Sequence, residues 1–191
     1  MEENIITDSL RERLICAGLS ELEEHGIADF SLRRVAVAAG VSCAAPYRHF
    51  KDKDELILAI IDYVLDGWVL LSEQISDSLG QGGGECIIAL SQSLVRFFVG
   101  NGNFRSILTL AQSDSDPERR KRLLGFDEPI ISSVSVFSLE HGLSGEDSEV
   151  LALTVLSLIY GTLVLISRGN SAERCISNLR NKITSELVAY L

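Results

Sequence analysis

Between Gly40 and Phe50 the sequence reads GVSCAAPYRHF, which sets Tyr47, Arg48 and His49 just after the small residues Cys43, Ala44 and Ala45. Widening the window to residues 31–53 adds Arg33, Arg34, Lys51 and Lys53 but a single carboxylate, Asp52. Five cations against one anion make this window four charges positive in a chain whose formal net charge is −10. The remainder then carries about −14. Cations and hydroxyls placed among small side chains suit contacts to phosphate oxygens, while the small residues let backbone approach base edges. Other chemistry is poorly served. His49 has no second histidine or cysteine at metal-ligand spacing, so no metal is expected. A thiol at a helix N-terminus has a lowered pKa, yet Cys43 lacks a partner cysteine for a redox switch. No nucleophile–base constellation stands out anywhere in the chain, so neither an enzyme nor a cofactor is expected.

These side chains need elements to hold them, and the composition says which. A 191-residue chain that is 46% hydrophobic can bury a real core, and its positive mean hydropathy excludes disorder. Prolines are few and alternating strand patterns absent, so an all-α fold of about nine helices is expected. Cys16, Cys43, Cys86 and Cys175 form no C-x-x-C pair, which reads as reduced thiols in a cytoplasmic protein. The N-terminus is acidic and polar, unlike a secretory leader.

Capping signals divide the chain. Thr7 or Asp8 starts a helix that His25-Gly26 stops. Ser31 caps a short helix with Leu32, Val35, Ala36 and Ala39 on one face, and Gly40 ends it. Val41 and Ser42 make the bend, with Val41 and Phe50 as core, and a third short helix runs through Phe50. Asp52 with Glu55 starts a long helix to about Leu79. The run GQGGGE, residues 80–85, then reads as a flexible connector, since it lacks the Lys-Ser/Thr ending of a phosphate loop. Further helices are expected at 85–99, 104–111, 117–126, 128–141, 144–168 and 171–191.

Residues 31–50 thus have a helix–turn–helix layout. The string FSLRRVAVAAGVSCAAPYRHFKDKDELILAII, Phe30 to Ile61, resembles the DNA-binding domain of the tetracycline-repressor (TetR) family of transcription regulators. The carrying features are Leu32 to Ala36, Ala39-Gly40-Val41-Ser42, Tyr47-x-His49-Phe50 and Lys53-x-Glu55-Leu56. The resemblance covers roughly residues 7–65. It implies a DNA-binding domain over 1–52 and a helical ligand-binding and dimerisation domain over 53–191. It further implies that Ser42, Cys43, Ala44 and Tyr47 face the groove, with Tyr47 and His49 near phosphates. Lys53 corresponds to a backbone-contacting lysine, and Ser31 with Arg33 or Arg34 would touch the backbone. Arg48 reaches either a phosphate or a guanine edge. With so little hydrogen-bonding capacity at Cys43, Ala44 and Ala45, base reading would lean on thymine methyls and DNA shape.

In the second half, PERRKRLL (Pro117 to Leu124) reads as a solvated basic helix face. Trp68, Phe97, Phe98, Phe104, Phe126, Phe137 and Tyr160 are candidates to line a pocket for an apolar or amphipathic small-molecule effector. Val150 to Ser167 runs uncharged, at the lower limit of a membrane span. It is read instead as a buried helix or an oligomer interface, with no membrane partner. The family arrangement would pair it across a homodimer through Ala152, Leu153, Leu156, Ser157, Gly161 and Val164. The expectation is a ligand-responsive regulator, most readily a repressor on a palindromic operator in double-stranded DNA. The alternative is a helical small-molecule binding or sequestering protein that keeps the fold without specific DNA binding.

Overall fold

In the computed structural model of this protein, residues 9–100 and 125–191 are described here. Helix α1 (Leu10–His25) starts on Ser9, whose hydroxyl accepts the Glu12 N–H while the Glu12 carboxylate takes the Ser9 N–H. This reciprocal cap satisfies two end donors at once. Thr7 and Asp8, the starts expected from the sequence, lie outside the described residues. Gly26, at φ 69°, stops the helix as expected. Ser31 caps α2 (Leu32–Ala38), and Gly40 turns the chain at φ 69°, a left-handed conformation that glycine adopts without strain. Helix α3 (Lys53–Leu79) begins where Asp52 accepts the Glu55 N–H at 3.0 Å.

The third short helix expected before Phe50 is a correction. The chain makes a turn over Ser42–Ala45 and then one turn of 3-10 helix, Pro46–Arg48. Proline lacks the N–H that an α-helix would direct back to residue 42, and the tighter bonding follows. Val41 is also half-exposed rather than fully core, whereas Phe50 is buried as expected.

The described residues fall into two compact units. The first comprises those up to Asp66; the second comprises 67–100 and 125–191, so α3 contributes to both. In the first unit Leu14, Leu22, Val35, Phe50, Leu56 and Ile60 form a core with almost no exposure. Gly18 lets Ile60 pack close against α1, since a Cβ there would lie 2.7 Å from Ile60 Cδ1.

The second unit contains α4 (Gly84–Gly100), a 3-10 turn (Gly125–Asp127), α5 (Glu128–Glu140), α6 (Gly145–Ser167) and α7 (Ala172–Val188). Helix α4 packs on α5, α6 and α7, and α6 packs on α5 and α7. The α6 start follows the sequence signal, with the Ser144 hydroxyl accepting the Asp147 N–H. Helix α7 ends at Val188, short of the expected Leu191.

Three further expectations meet the structure here. Seven α-helices and no strand occur among the described residues, against about nine helices expected. The helices expected at 104–111 and 117–126, and the basic run 117–124, lie outside the described residues or at their edge. The glycine connector is docked rather than loose. Gly82 is buried at φ 92°, a Cβ there would lie 2.8 Å from Val136 Cβ, and the Gln81 amide donates to Ser132 Oγ. Finally, α6 is not a buried helix of this chain. Only 22% of its apolar window is buried. Leu151, Val155, Ile159 and Thr162 face inward, while Val150, Leu153, Val164 and Leu165 are exposed on a helix that is apolar all round.

Candidate nucleic-acid interface

Local sequence sets which side chains of the turn segment reach solvent. Ala45, Pro46 and Phe50 are buried and anchor the segment, and the Arg11 guanidinium lies 5.3 Å from the Phe50 ring centroid. Ser42, Cys43, Ala44, Tyr47, Arg48 and His49 are exposed, with Tyr47 at 60%. Every groove-facing residue expected from the sequence therefore lies on one of two accessible runs, 42–44 and 47–49, separated by the buried Ala45 and Pro46. An aromatic side chain so exposed is available to a ligand surface.

The backbone-contact candidates divide sharply. Arg33 is exposed, and among the described residues it has no ion pair. Arg34 is occupied: its Nε donates to Glu21 Oε1 at 2.7 Å, its Nη2 lies 2.5 Å from the same oxygen, and it also donates to the Asp29 carbonyl. Glu21 is 7% exposed and accepts the Ser31 N–H at 3.0 Å as well, so it ties the N-terminus of α2 to α1. Burial pushes the Glu21 carboxyl up, but the Arg34 and Ser31 hydrogen bonds and the Arg34 charge outweigh it and hold the group below its ordinary value. Ser31 is correspondingly committed, its N–H to Glu21 and its hydroxyl to capping α2. Lys53 is half-buried, donating from Nζ to the Ile27 carbonyl at 2.7 Å with the Phe30 ring centroid 6.0 Å away. An ammonium has three donors, so two stay available to a phosphate. Arg13 donates to the carbonyl of Ala39, a cation at the C-terminal end of α2 where the helix dipole favours it.

Sequence reading missed Glu21, Arg11 and Arg13. A signal for Glu21 existed: it falls on the Leu14, Gly18, Leu22 face of α1, where a carboxylate is out of place unless paired.

In the second unit the aromatic candidates part company. Trp68, Phe97, Phe98 and Phe126 cluster, with ring centroids 5.7 to 6.4 Å apart, and Trp68 Nε1 donates to the Phe126 carbonyl. Phe137 stacks on His141 at 4.1 Å instead. The Tyr160 hydroxyl donates to the Asp127 carboxylate, 2.9 Å from each oxygen. Burial pushes Asp127 up, partly offset by that hydrogen bond, and burial together with the Asp127 charge pushes the Tyr160 phenol up. Phe104 lies outside the described residues. On α6, Leu153 (57% exposed), Ser157, Gly161 and Val164 (50% exposed) follow one another at helical spacing, while Ala152 and Leu156 are half-buried.

Residues 14–60 match the family described as bacterial regulatory proteins, tetR family. Among solved structures, the chain is similar to a protein of unknown function from Rhodococcus sp. RHA1, with 20% identity over 95% of this chain and 97% of that one and a TM-score of 0.78. It is similar to a TetR transcription regulator from Haloarcula marismortui, at 22% identity over 94% and 97% and a TM-score of 0.72. A TetR transcriptional regulator from Legionella pneumophila gives 22% identity over 96% and 98%, also with a TM-score of 0.72. At these identities the structures testify to the fold.

Proposed function

We propose that this chain, whose residues 14–60 match the tetR family of bacterial regulatory proteins, is a member of that family and a ligand-responsive transcriptional repressor acting as a homodimer in the cytoplasm. The observation that carries the reading is the pair of exposed runs Ser42–Ala44 and Tyr47–His49, held by the buried Ala45 and Pro46 between them and accompanied by the exposed cation Arg33, within the matched segment. Tyr47, His49 and Arg33 contact phosphates; Ser42, Cys43 and Ala44 approach base edges. Arg34 contributes through Glu21 rather than through DNA. Dimerisation buries the uncovered stripe of α6, where small residues let two helices approach closely and Leu153 and Val164 supply apolar area. A two-fold dimer presents two reading segments to a palindrome. An apolar or amphipathic effector held near the Trp68–Phe126 cluster shifts the population toward a dimer that no longer fits its operator.

The test is selection of bound fragments from random duplex DNA, repeated over a salt series. A recovered palindrome with a steep salt slope is expected. No recovery at any salt would sink the reading and leave the small-molecule binding protein in its place.

A further inference from the structure

The exposed reading stretch has a proline in its middle. Pro46 carries no N–H, so residue 46 cannot close the Ser42 carbonyl as an α-helix requires; the Ala45 N–H takes that carbonyl at 2.9 Å. The three-residue closure continues, from the Arg48 N–H to the Ala45 carbonyl and from the His49 N–H to the Pro46 carbonyl, at 3.1 and 3.0 Å. The Phe50 N–H also returns to the Pro46 carbonyl, at 2.9 Å. Pro46 is itself buried, which fixes the point about which the stretch turns.

Exposure reveals the consequence. In an α-helix His49 would share a face with the buried Ala45, four residues before it, a relation that three-residue closure does not impose. His49 is exposed instead, beside Tyr47 and Arg48 in the chain. Tyr47, Arg48 and His49 thus reach solvent as three consecutive side chains that can all donate.

We infer that Pro46 is a positioning residue for DNA specificity: by denying the Ser42 carbonyl its α-helical partner it sets which side chains of the stretch 42–49 meet the bases. This rests on the DNA-binding reading above. Restoring an N–H at position 46 lets the stretch wind into a helix and rotates Tyr47, Arg48 and His49 relative to Cys43 and Ala44.

The experiment uses the full chain with Pro46→Ala and Pro46→Leu, the leucine retaining apolar volume in the buried site. The motif selected by the unsubstituted protein is changed one base pair at a time, and relative affinities are measured for all three proteins. The expected result is a changed base ranking at one or more half-site positions, by about five- to a hundredfold in relative affinity. The same ranking, with affinity unaltered or scaled equally at every position, overturns the inference while leaving DNA binding intact. If the unsubstituted protein selects no motif, the DNA-binding reading fails and takes this inference with it. A measurement free of variants stands beside these: NMR secondary shifts of residues 43–49 in the unsubstituted protein on its motif. Tight-turn values support the inference, and a continuous α-helix in the complex overturns it.

Discussion

Arg33 and Arg34 are neighbours in sequence with opposite duties. Nothing local separates them, because the partner that occupies Arg34 is Glu21, thirteen residues earlier on another helix. Arg33→Ala should weaken DNA binding, lower the salt slope by about one and leave the thermal midpoint within about 2 °C. Arg34→Ala should instead lower the midpoint, by about 2–4 °C on a calorimetric scan. If the two substitutions behave alike, the division of labour is wrong. Tyr47→Ala should cut affinity with the fold intact by circular dichroism, and unchanged affinity would remove its phosphate role. Lys53 was legible as a cation near the start of α3, but its hydrogen bond to Ile27 spans 26 residues and was not. Its removal should therefore cost both binding and stability.

Helix boundaries were largely legible, because serine and aspartate caps and glycine stops act within four residues of themselves. The connector at 80–85 was misread for the complementary reason. Composition alone makes a glycine run look mobile, whereas Gly82 is required where α5 passes close by. Gly82→Ala should lower stability by about 1–3 kcal/mol in urea melts, combining a left-handed φ with a clash against Val136. A neutral result would mean that the connector is not docked. For α6, Gly161→Trp places a large ring in the centre of the exposed stripe, where a Cβ meets nothing within 4 Å in the single chain. A shift from dimer to monomer in sedimentation velocity is expected, with the monomer still folded. A dimer of undiminished affinity would place the interface elsewhere.

For the molecule as a whole, the buried carboxylate Glu21 and the half-buried Asp127 should give its acid stability opposite slopes. Glu21 is held below its ordinary value, so its contribution is present above that value and is lost as pH falls through the lowered one. Asp127 is pushed above its ordinary value by burial, so its contribution is full below the ordinary value and is lost as pH rises through the raised one. Thermal melts over about pH 3 to about pH 7 should therefore show Glu21→Gln flattening the loss on the acid side. Asp127→Asn should raise the midpoint at neutral pH, where the tyrosine donor keeps an oxygen to bond. The reverse pattern would mean that the pairings are misassigned.

What the chain alone determined were the features that act at short range: the caps, the Gly40 turn, the amphipathic faces and the local excess of positive charge against a net −10. Periodicity and capping are written within a few residues, so they survive without knowledge of the fold. Only the tertiary structure decided which cations are already occupied, that Gly82 is packed, that Pro46 yields a tight turn rather than a helix, and that α6 leaves a stripe of apolar residues exposed. Those outcomes depend on partners distant in sequence, or on competition between local bonding and burial.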